Sequence, residues 1–193
     1  MLSILAGFMI GMGGIIYLTL GGIEGALFFS LGLMTIITFK FELFTGKAGL
    51  LATNGISFWK LCKIWLGNLL GTGLCGFLAL MTPVGQKIVP AASNIVALRT
   101  SQTAFQNLVL GFFCGLLMYV AVIGFQKSNN YIFSIVPVAF FILCGFNHCV
   151  ADMFYTWIGA NGWRQLIHII PTTIGNVLGA CFIPLLERCH RGV

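Results

Sequence analysis

The chain has 193 residues, of which 59% are hydrophobic and only 7% charged, and its mean hydropathy is +1.01. A soluble domain carries roughly 25% charge, so this composition cannot cover a water-facing surface, and six apolar spans of ~20 residues would use nearly the whole length. No room remains for a separate soluble catalytic domain, and the net charge of +6 does not point to nucleic acid, because the basic residues fall mainly at span ends.

The opening apolar run, Met1 to Leu20, has neither a basic leader nor a small-residue cleavage site, and is predicted to be the first membrane span rather than a signal peptide. Spans are predicted near 3–20, 24–52, 58–82, 103–126, 131–160 and 163–187. The second and fifth are too long for a simple crossing and carry polar residues partway: Lys40, Glu42, Thr45 and Lys47 in one, Asn147, His148 and Asp152 in the other. Unwound backbone at membrane depth survives only where protein buries it or a watery cavity solvates it, so two broken helices imply a cavity. Lys60, Lys63, Lys127, Arg188 and Arg191 lie on the side of both termini, against Lys87, Arg99 and Arg164 opposite. By the positive-inside rule both termini are cytoplasmic.

The halves of the chain repeat at an offset of 104 to 108 positions. Gly7-Phe8-Met9-Ile10-Gly11 lines up with Gly111-Phe112-Phe113-Cys114-Gly115, Asn54-Gly55 with Asn161-Gly162, and Leu66 to Gly71 with Ile174 to Gly179. Each half holds an odd number of spans, so the second enters the membrane in the opposite direction. The fold expected is an all-α membrane protein of six helices in two inverted three-helix repeats, approximately 1–82 and 101–187, within one domain over 1–193. Such an architecture puts a site at the repeat interface near the midplane. At the breaks, Phe41 is expected opposite His148 and Thr45 opposite Asp152.

The glycines at Gly7, Gly11, Gly14, Gly67 and Gly71 are spaced for close helix packing. Asn68 and Asn176 differ from them, since an amide buried in lipid must be hydrogen-bonded. Asn176 either contacts the pore or ties helices together, and its spacing leaves both open. Seven cysteines show no CxxC pair or finger-like spacing; they are read as packing residues, with neither a disulfide framework nor a metal site expected.

His148 is the foremost candidate for function, because ionisable groups within membrane segments are rare and usually face a cavity. Its competing role, a core histidine bonded to backbone, is disfavoured by the broken span. Glu42 and Asp152 are read as capping or pairing groups, and Lys40 as snorkelling or lining a vestibule. One histidine with scattered carboxylates supplies no nucleophile and base, so an enzyme is not expected, nor a cofactor. Transport is the economical reading of two symmetry-related breaks.

Leu43-Phe44-Thr45-Gly46, the run Gly145-Phe146-Asn147-His148-Cys149-Val150-Ala151-Asp152-Met153 and the two Gly-Asn-x-x-Gly elements resemble the loop motif, the G-F-E-H-x-x-A-N-M signature and the paired elements of the formate/nitrite transporter family. The resemblance runs through nearly the whole chain. It implies a multi-pass protein of the cell (plasma or inner) membrane, a homopentamer in lipid with an aquaporin-like pore in each protomer. Each pore would pass small monovalent anions such as formate, nitrite or hydrosulfide, or the corresponding neutral acids. Carried over by position, Phe29, Leu33, Leu43, Phe44, Met118 and Phe141 would form two apolar constrictions, with Thr45 and His148 between them. Arg99 would take the place of the family's lysine ahead of the fourth span, and Asn176 that of its asparagine in the sixth.

Several residues depart from the pattern. The signature's Glu is Asn147 and its Asn is Asp152, the asparagine early in the fourth span is Gly115, and Lys40-Phe41 replaces small residues. The third span is also about one turn short, and the family's amphipathic amino-terminal extension is missing from this chain. Lys40, Glu42, Asn147 and Asp152 are therefore expected to tune the pore. Because an ionised Asp152 facing the pore would disfavour a bare anion, a small neutral solute such as urea or ammonia is the alternative substrate class.

Overall fold

The computed structural model describes residues 1–190, so Arg191 of the basic side lies outside the described residues. The chain folds as helices α1 (Leu2–Leu20), α2 (Gly22–Thr38), α3 (Phe44–Lys47), α4 (Phe58–Leu80), α5 (Pro83–Ser101), α6 (Ala104–Ser128), α7 (Ile132–Leu143), α8 (Cys149–Gly159) and α9 (Ile169–His190). A 3-10 turn, Ala48–Leu51, continues α3, and another, Trp163–Leu166, precedes α9. Among the described residues, Leu2–Leu20, Phe58–Leu80, Ala104–Ser128 and the run Trp163–His190 are long and apolar enough to cross a membrane, while Gly22–Thr38 and Ile132–Leu143 are shorter apolar helices.

The packing depends on small residues. Helix α1 lies on α4 and α2, and α6 lies on α9 and α7. A Cβ added at Gly71 would strike the Ile4 carbonyl, and one at Gly179 the Phe112 carbonyl. Backbones this close make van der Waals packing the main attraction between helices whose surroundings are as apolar as themselves.

Both long spans are interrupted, and the two interruptions are built alike. At the end of α2, Phe41 N–H donates to the Ile36 carbonyl at 2.9 Å and Lys40 N–H to Ile37 at 3.3 Å; at the end of α7, Phe146 donates to Phe141 at 2.9 Å and Gly145 to Ile142 at 3.1 Å. These paired bonds close a helix end through one left-handed residue, which is Lys40 (φ 55°) in the first case and Gly145 (φ 71°) in the second. Lys40 therefore matches Gly145, and Leu43, the N-cap of α3, matches His148, the N-cap of α8. The expected pairings of Phe41 with His148 and Thr45 with Asp152 are thus out of register by two positions. The flanking Gly-Phe and Gly-Asn motifs sit at different offsets, and the loop between them shares too little sequence to reveal the shift.

Helix α5 was not among the predicted spans. Gln86, Lys87 and Ser93 dilute its hydropathy, yet Pro83 starts the helix, and Gly85, Ile88, Ala92, Val96 and Arg99 form a buried stripe at helical spacing. That stripe packs mainly on α8 and carries Arg99 into the interior.

Candidate functional site

Two fully buried polar side chains from the two interruptions meet, with Thr45 Oγ1 lying 2.9 Å from His148 Nε2. His148 caps α8, and its Nδ1 accepts the Ala151 N–H at 3.1 Å. A nitrogen that accepts carries no proton, so the neutral ring holds its proton on Nε2 and donates it to Thr45. The imidazole is thereby fixed as a donor pointing out of the α8 terminus, and a second proton on Nδ1 would break the cap.

Cavities lie on either side of this pair. One of about 340 Å³ is bounded by Leu33, Ile36, Lys40, Leu43 and Lys47 and by Tyr119, Val122, Ile123 and Gln126 of α6. The other, of about 100 Å³, is bounded by Tyr17, Arg99, Phe141, Gly145, His148, Asp152 and Tyr155. They fall at opposite ends of α2: Tyr17 packs against Gly25 near its start, whereas Lys40 follows its end. Between them Phe29 meets Phe141 edge-on with ring centroids 6.1 Å apart, and Phe141 stacks on His148 at 5.4 Å. Phe29, Leu33, Leu43 and Phe141 are all buried.

Arg99 reaches the second cavity from the last turn of α5. Its Nη1 donates to the Gly145 carbonyl at 2.8 Å, and its Nε lies 3.4 Å from Asp152 Oδ1. The guanidinium thus clamps the α7–α8 interruption while Asp152 balances its charge. Asn147 does not join this pair. Its Nδ2 donates to Asn107 Oδ1 at 2.6 Å and to Gln102 Oε1 at 3.1 Å, while Asn107 Nδ2 donates to the Arg99 carbonyl at 3.1 Å. Gln102 and Asn107 are not among the residues that the sequence singles out. An asparagine at the start of an apolar span was the available signal, next to the capping box that Thr103 and Gln106 form.

Asn176 ties helices. Its Oδ1 accepts the Cys149 N–H at 2.8 Å, and its Nδ2 donates to the carbonyls of Gly111 at 2.8 Å and Asn147 at 2.9 Å. Asn68 does the same for the first interruption, accepting from Phe44 N–H at 2.8 Å and donating to Ser3 and Glu42. Neither asparagine borders the two cavities. Phe44 faces a separate groove between α4 and α9, and Met118 is buried beside the Tyr119 wall of the larger cavity. Glu42 pairs with Lys47 and Lys60, each at 3.8 Å, so Glu42 and Asp152, the acidic groups beside the two interruptions, are both in ion pairs.

Membrane-length apolar helices, two interrupted ones, and a buried donor between two cavities define a multi-pass membrane transport protein. Residues 1–187 match the family model for formate/nitrite transporters. The formate channel FocA of Haemophilus influenzae is 28% identical over an alignment covering 85% of this chain and 72% of that protein. An FNT family ion channel superposes with a TM-score of 0.86 at 22% identity, covering 98% of this chain and 88% of the other. A pentameric formate channel with formate bound gives 0.80 at 23% identity, covering 100% and 96%. The chain belongs to the formate/nitrite transporter family.

Proposed function

We propose that the protein conducts small monovalent anions of the formate, nitrite and hydrosulfide type, crossing the narrowest stretch as their neutral acids. The observation that carries this reading is the Thr45–His148 hydrogen bond set between two cavities and flanked by buried apolar side chains. An apolar constriction penalises a bare anion heavily, so a proton must accompany it where Phe29, Leu33, Leu43 and Phe141 close the path. His148 offers an Nε2–H donor there to a solute that displaces Thr45.

The same reading makes the chain one domain of six spans in two inverted repeats. The like-built interruptions and the matched roles of Asn68 and Asn176 support this. Both termini are cytoplasmic on the charge asymmetry, in a plasma or inner membrane. The assembly is a homopentamer with one pore per protomer, a reading supported by the likeness to a pentameric formate channel of the same fold, and mass measurement in detergent should return five copies. Phe44 and Met118 act in it as packing behind the constriction rather than as its surface.

One observation favours a neutral solute such as urea or ammonia as the second reading. Asp152 neutralises Arg99, the cation bordering the smaller cavity. Flux into proteoliposomes tests the function itself. Purified protein should pass formate well above empty vesicles; passage of none of formate, nitrite, hydrosulfide, urea or ammonia would overturn the channel reading.

A further inference from the structure

The two cavities differ in charge. In the smaller one Arg99 is paired with buried Asp152. In the larger one Lys40 and Lys47 are the charged residues of the wall. Lys47 shares Glu42 with Lys60, whereas Lys40 has no ion-pair partner among the described residues.

The backbone at Lys40 makes its lysine unexpected. With φ at 55° it occupies the left-handed region, where a Cβ crowds the following carbonyl and glycine is the usual residue. The matching interruption has glycine there, Gly145. A long cationic side chain occupies a position whose backbone disfavours it, at the mouth of a cavity with Leu33, Ile36 and Leu43 in its walls. Low-dielectric walls focus the field of such a charge into the space they enclose. A formate-sized anion is far smaller than about 340 Å³, so it would enter hydrated and feel the charge before any close contact.

We propose that Lys40 is a specificity-determining residue: with Lys47 it makes the larger cavity an anion-collecting antechamber, so that this mouth gathers small monoanions in preference to neutral solutes of similar size. This rests on the channel reading and narrows its substrate class to anions. A unit charge ~6 Å from the anion in a water-like medium changes local occupancy about threefold.

Formate and urea flux into proteoliposomes, measured at ~10 mM and ~1 M ionic strength, tests it. Lys40→Gly suits the backbone and should raise the KM for formate about threefold at low salt. The difference should vanish at high salt, where the Debye length shrinks to ~3 Å. Lys40→Arg should keep the wild-type KM, and urea permeation should be the same in all variants. Should Lys40→Gly fold poorly, Lys40→Asn, which also tolerates the left-handed region, carries the same expectation. An unchanged formate KM at low salt, or an equal change for urea, would overturn the role of Lys40 while leaving the channel reading intact. Absence of formate flux in the wild type would overturn both.

Discussion

Replacing Asn176 by alanine separates a residue that holds the fold from one that touches the solute. The substitution removes three hydrogen bonds of 2.8 to 2.9 Å, and the groups left behind are unequal. The Gly111 carbonyl belongs to α6 and keeps a helical donor. The Cys149 N–H heads α8 and the Asn147 carbonyl lies in the interruption, so both lose a bond where water does not replace it. A buried group left without a partner costs about 1–3 kcal/mol, and two such groups with the small void give roughly 4 kcal/mol. For a chain of this size that lowers the unfolding midpoint by about 10 °C. Thermal unfolding in detergent, followed by intrinsic tryptophan fluorescence, reads it directly, and Asn68→Ala should fall by a similar amount. If Asn176→Ala unfolds within about 2 °C of wild type yet loses flux, Asn176 is a pore group and the reasoning is wrong.

Arg99→Ala strands the Asp152 carboxylate in the interior and should cost about 3–5 kcal/mol. Much of that should return in the Arg99→Ala, Asp152→Ala double variant, and strictly additive midpoints would show that the pair is uncoupled. For a weak acid crossing as its neutral form, formate uptake by the wild type should rise about tenfold for each unit that external pH falls toward the acid's pKa. His148→Asn replaces the Nε2–H donor by an amide, so it should lower formate uptake while leaving that slope, which belongs to the acid, and urea flux largely unchanged. Fast, pH-independent urea flux in both proteins with negligible formate flux would promote the neutral-solute reading.

Hydropathy and spacing alone determined that the chain is an all-helical membrane protein and that the spans holding Thr45 and His148 are broken, and the residues of its motifs carried the family resemblance. These features are local: the free energy of moving a residue from water to lipid is written in the residue itself, and a polar run inside an apolar one marks a break wherever it occurs. Partner choice is not local. Arg99 finds Asp152 across 53 positions and Asn176 finds Gly111 across 65, contacts that exist only once α5, α6, α8 and α9 have packed. The tertiary structure therefore decided that Asn176 bonds backbone in the interior, that Asn147 belongs with Asn107 and Gln102, and that Leu43 rather than Phe41 matches His148. It also decided the charge asymmetry. Lys40, Lys47 and Asp152 read as charged residues within broken spans and Arg99 as a basic residue ahead of the fourth, but Coulomb interactions depend on distance and burial, and only the folded chain pairs one cation with a buried carboxylate and leaves another facing a cavity.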